Sequence, residues 1–133
     1  MNAMDTITLS RSGRAPLQFT GMVIAKASSQ QYQGPCQSRW HELTVYRHAD
    51  LRLVLAIGYR TQWQGEMDRD EAIICADDAA LRDSLAAIDP LADIIGFPPG
   101  HQFDEKRAYI EKQLRQCWDA AISELLAQFP ECI

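Results

Sequence analysis

At 133 residues the chain has the length of one domain able to bury its own core, and a hydrophobic content of 47% sets it apart from disordered segments. The formal net charge is −5 and the basic residues are scattered and mostly Arg, which argues against a nucleic-acid surface. No apolar run reaches the ~18 residues of a membrane span, and MNAMDTITLSRSGRAP lacks an apolar signal core, so an intracellular, cytoplasmic protein is expected.

Residues 5–10, DTITLS, read as a short edge strand, and Gly13 and Pro16 punctuate the turn after it. Residues 17–27, LQFTGMVIAKA, read as a longer strand. Leu17 and Phe19 share one parity, Met22 and Ile24 the other, and Gly21 stands between. A bulge at Gly21 would gather all four on one face; the alternative is a central strand buried on both faces. Residues 28–39 are polar, broken by Gly34-Pro35, and read as a long loop.

The stretch from Trp40 to Arg60 carries the strongest fold signal. Leu51, Leu53, Leu55, Ile57 and Tyr59 occupy every second position, the alternation of a pleated strand. Leu43 and Val45 form one row of the preceding strand, and Trp40, Glu42, Thr44 and Tyr46 form the other. A three-residue loop, His48-Ala49-Asp50, sets Leu43 and Val45 beside Leu53 and Leu55 with Asp50 as the left-handed residue; a two-residue loop at Ala49-Asp50 would set them on the other face. The first register is expected. It puts Trp40, Thr44, Tyr46, Val54 and Ala56 on a second, half-apolar face that is a candidate to stand uncovered.

A polar connection over 61–70 leads to a third strand or short extension, EAIICA. Asp77 and Asp78 are candidate caps for a helix whose Leu81, Leu85 and Ile88 share one face and which Pro90 stops. Residues 91–103 form a connector. From Asp104 to Phe129 no Gly or Pro interrupts a helical stripe of Ile110, Leu114, Cys117, Ala121 and Leu125, widened by Trp118, Ile122, Leu126 and Phe129. Such a helix is roughly 39 Å long, more than the width of so small a domain. Glu111 and Arg115 are spaced for an ion pair along it. Strands followed by helices predict one α+β domain: an antiparallel sheet of about four or five strands packed against a short helix and a long C-terminal amphipathic helix.

Chemistry is sparse. Cys36 could be activated by His41, with Glu42 beside it, as in a thiol-dependent enzyme. Glu66, Asp68, Asp70 and Glu71 form an acidic group, but not with EF-hand spacing. His41, His48 and His101 fall on separate elements, and Cys36, Cys75, Cys117 and Cys132 lack zinc-ligand spacing, so neither a metal nor another cofactor is expected. Cys75 and Cys117 fall on apolar rows as core residues. Trp40, Tyr46, Trp63 and Trp118 are the candidate binding aromatics. The expectation is a binding or interaction module of unknown specificity, without catalytic activity, acting as a homo-oligomer or with a protein partner. The competing readings are the Cys36 enzyme and a small-molecule binding protein with its pocket between sheet and long helix.

Overall fold

The structure, a computed structural model, describes residues 4–32, 39–62, 66–92 and 101–129, with residues 31–32 and 101–104 described at the backbone. Five strands come first: β1 (Asp5–Arg11), β2 (Arg14–Ser28), β3 (Arg39–His48), β4 (Leu53–Thr61) and β5 (Arg69–Cys75). Two helices follow, α1 (Asp78–Ala87) and α2 (His101–Ala127). Each strand pairs antiparallel with the next, in the order β1-β2-β3-β4-β5. This is the α+β architecture expected from the order of the elements.

The β3–β4 hairpin keeps the expected faces in a register shifted by two residues. Val45 stands opposite Leu55, and Leu43 opposite Ile57. The loop is therefore Ala49-Asp50-Leu51, closed by His48 N–H donating to the Arg52 carbonyl at 2.8 Å. Leu51, not Asp50, takes the left-handed conformation, with φ of 76°. Asp50 is engaged instead: its carboxylate accepts from the Arg52 amide and from the Arg52 guanidinium, at 3.0 and 2.7 Å. A shift of two preserves which side chains face the core, so the alternation alone cannot separate the two registers.

The bulge of β2 lies at Ile24, not at Gly21: Val23 stands opposite Tyr46, but Ala25 opposite Val45. Leu17 and Phe19 thus face one side of the sheet, while Ala25 and Ala27 face the other. Gly21 has a different duty. A Cβ there would collide with the Arg47 carbonyl oxygen and crowd the Phe19 ring. Glycine lets β2 and β3 approach closely where the sheet bends.

One face of the sheet carries the helices. Leu43, Val45, Leu53, Leu55 and Cys75 pack there against Leu81 and Leu85 of α1 and Trp118, Ala121 and Leu125 of α2. Asp77 caps α1, its carboxylate accepting from the Ala80 amide at 2.8 Å. Gln128, just past α2, takes the place of a strand neighbour for β2. Its side-chain amide accepts from Lys26 N–H at 3.0 Å and donates to the Lys26 carbonyl at 2.6 Å.

The second face is partly covered. The sheet curls until β1 packs against β5. Ser12, in the turn after β1, donates its N–H to the Asp70 carbonyl at 2.8 Å, and its hydroxyl accepts from Asp70 N–H at 2.9 Å. The concave side then holds a second core of Phe19, Val54 and Ala72, lined by Ile7, Leu9, Leu17 and Tyr46. The long, bulged β2 makes this curl possible, because a bulge bends its strand and increases local twist. The expectation of an uncovered face is corrected in part: the first strand helps bury Val54, while Trp40, Thr44, Tyr46 and Ala56 stay half-buried.

Candidate functional site

β3 and β4 carry a polar network at the end of the helix-bearing face. Arg39 opens β3, and cross-strand pairing sets it opposite Thr61 at the end of β4. Glu66 returns from the connection before β5 and meets both. Arg39 Nε donates to Glu66 Oε1 and Oε2 at 2.9 and 3.0 Å, and Nη2 also donates to Oε2. Tyr59 and Thr61 hydroxyls donate to Oε1 at 2.8 and 2.9 Å. The side chains of Arg39 and Glu66 are 1% and 0% exposed. Burial works to raise the Glu66 pKa. The donated hydrogen bonds of Arg39, Tyr59 and Thr61 outweigh it and hold the carboxyl at about 2. Burial and the adjacent carboxylate push Tyr59 up, so its hydroxyl stays a donor.

This network pins the floor of a cleft. His41 stands opposite Tyr59 in the β3–β4 ladder, with ring centroids 5.3 Å apart. The His41 ring also meets Trp118 of α2 edge-on at 4.8 Å. Its backbone N–H donates to the buried Ser29 hydroxyl at 2.7 Å. Above the two rings opens a cleft of about 250 Å³, walled by Ile57, Ala87, Ile88 and Ala92 and rimmed by Arg69, Glu71 and Asp89. Arg69 lies 3.4 Å from Glu71 on β5, and Arg115 of α2 lies 3.7 Å from Asp89. Arg115 therefore turns to the connection after α1, and Glu111 pairs instead with Arg107 at 2.6 Å. The cleft lies between the sheet and the end of α1.

The predicted candidates separate. His41 is buried on the helix-bearing face, whereas Glu42 points to the opposite face and lies 3.5 Å from Arg60. A β-strand sends adjacent residues to opposite sides, so Glu42 cannot orient the His41 imidazole. Cys36 lies outside the described residues, as do Trp63 and Cys132. Trp40 and Tyr46 share the concave face; the Tyr46 ring packs edge-on against Phe19 at 5.6 Å, and burial raises its pKa. Trp118 is 3% exposed and belongs to the core on the other side of the sheet. The sheet thus divides the described binding aromatics into two sets that share no site.

The acidic group also disperses. Glu66 joins Arg39, Asp68 accepts from the Thr61 amide at 3.0 Å, Asp70 pairs with Arg60 at 2.8 Å, and Glu71 pairs with Arg69. Cys75 and Cys117 are buried thiols, as expected of core residues. Among the described residues no helix is long and apolar enough to cross a membrane.

Arg39, Tyr59 and Glu66 are not legible as a unit in the sequence. Arg39 and Glu66 sit in stretches read as polar loops, and 27 residues separate them. One signal was available: Tyr59 continues an otherwise aliphatic row, and a buried Tyr hydroxyl needs a partner. These features define a curled antiparallel meander backed by two helices, with a pinned, ring-floored cleft. No family model matches the chain, and neither a curated protein nor a solved structure does.

Proposed function

We propose that the chain is a binding module whose ligand seat is the cleft over His41 and Tyr59. The carrying observation is a floor of two buried rings held in place from behind, under a rim with two carboxylates and one guanidinium. A rigid floor spares a ligand the cost of ordering the site. At about 250 Å³ the cleft is smaller than the usual pocket for a drug-sized molecule. A compact ligand with a planar or apolar body fits its walls. Of the residues that line the cleft two are carboxylates, Glu71 and Asp89, and one is a guanidinium, Arg69. Arg115 reaches Asp89 from outside the lining through a solvent-exposed 3.7 Å contact, which screens weakly, so the lining itself favours a cationic end over an anionic one.

Two probes with the same ring and opposite charge test this, phenethylamine and phenylacetate, titrated against the labelled protein by NMR. The amine is expected to shift the amides of Ile57, Tyr59, Glu71 and Ile88 in a saturable way. Phenylacetate is expected to leave them in place, and Glu71→Gln to weaken the amine several-fold. If neither probe moves these amides, or if phenylacetate binds as well as the amine, the reading is rejected.

A further inference from the structure

α2 is longer than the surface it covers. Its 27 residues span about 40 Å. Its first fully buried residue with a described side chain is Leu114, and residues 105–109 are all exposed. From Leu114 onward the stripe of Leu114, Cys117, Trp118, Ala121 and Leu125 faces the sheet. The amino-terminal turns therefore carry a face that the described residues do not cover.

Composition gives that face a direction. Glu105, Ala108, Tyr109 and Lys112 recur at i, i+3, i+4 and i+7, so they share one side of the helix. At about 100° per residue that side points away from the Leu114–Leu125 stripe. Tyr109 is 61% exposed there, with its hydroxyl accepting from the Gln113 side-chain amide at 2.7 Å. An aromatic ring stands at the centre, with an anionic residue one turn before it and a cationic residue about one turn after it.

The pattern is complementary to itself under one symmetry only. A two-fold axis between Ala108 and Tyr109, perpendicular to the helix, sets Glu105 against Lys112 of a second copy, twice, and Tyr109 against the second Ala108. Parallel pairing in register sets Glu105 against Glu105 and Lys112 against Lys112. Opposite charges flanking a helix pair select orientation in this way, and a closed two-fold pairing repeats every contact.

We infer that the amino-terminal half of α2 is a homodimer contact in which two copies pair antiparallel about Ala108–Tyr109. The inference is independent of the cleft, which lies on other elements. Two or three exposed turns cover less than the ~1,200 Å² of a standard interface, so the pairing is weak and reversible.

Sedimentation equilibrium from about 10 µM to about 1 mM, with charge-swapped variants, tests it. The wild type is expected to show a monomer–dimer equilibrium in that range. Glu105→Lys alone, and Lys112→Glu alone, each turn two attractive pairs repulsive and are expected to weaken the dimer roughly tenfold. The double variant restores opposite charges across the axis and is expected to return to within about threefold of the wild type. All these positions are exposed, so the fold is not at stake. A wild type that stays monomeric to 1 mM overturns the inference, as does a dimer indifferent to the single swaps or not rescued by the double one.

Discussion

Leu51 shows how a single residue can carry strain that a neighbour's role imposes. Asp50 holds the Arg52 amide and guanidinium, so the left-handed position of the three-residue loop falls to Leu51. That conformation disfavours a side chain by about 1–2 kcal/mol, and the Leu51 side chain is 68% exposed. Leu51→Gly is expected to stabilise the protein by about 0.5–1 kcal/mol, the relief being partly offset by the entropy of glycine in the unfolded chain. Chemical denaturation checks it; a loss of stability would mean that the exposed leucine contributes packing. Glu66 acts in the opposite sense. Its folded pKa of about 2 lies below the ordinary value of 4.5, so its contribution is complete above pH 4.5 and disappears as the pH falls from 4.5 towards 2. The loss amounts to about 3 kcal/mol. Glu66→Gln leaves Arg39 buried without its counter-charge and is expected to cost roughly 3–5 kcal/mol at neutral pH, while Arg39→Met with Glu66→Leu recovers most of that. Urea unfolding of the three proteins at pH 7 and pH 3 separates these outcomes. A double variant as unstable as Glu66→Gln would contradict them.

At the level of elements, β2 decides the shape of the sheet. Its bulge at Ile24 moves the inward row from one face to the other, and Gly21 admits the Arg47 carbonyl. Gly21→Ala is expected to cost roughly 1–3 kcal/mol, since backbone on the partner strand, not a flexible side chain, must yield. Hydrogen exchange at the Met22, Val23 and His48 amides is the direct readout, and unchanged protection with unchanged stability would show that β2 can move aside. β2, β3, β4 and both helices were legible as elements because periods of 2 and 3.6 hold over many residues. The bulge position was not, because the choice depends on what stands across the ladder and on which face each half of β2 covers.

For the whole molecule, the consequential feature is the closure of β1 on β5. Ile7 and Leu9 cover Phe19, Val54 and Ala72, and Ser12 clasps Asp70. A chain lacking residues 1–11 is expected to keep the helix-packed core, with Trp118 still shielded from acrylamide, but to expose the concave core. It should bind a hydrophobic dye such as ANS at neutral pH and lose several kcal/mol of stability, by the scale of core deletions. A truncated chain that binds no dye would show that β5 and β2 close the sheet without β1.

Local pattern by itself determined the α+β class, the hairpin and its faces, the start of α1 at Asp77 or Asp78, and the stripe of α2 that reaches the sheet. Each depends on spacings within one element, where the backbone period dictates which side chains share a face. Tertiary structure decided the rest. Arg39 and Glu66 meet across β4, His41 and Glu42 part to opposite faces, and the Trp40–Tyr46 face becomes half-buried as the sheet curls. Those outcomes follow from ladder registers and from the curl of the sheet. Both are set by the summed packing of residues distant in the chain, and no window of sequence contains that sum.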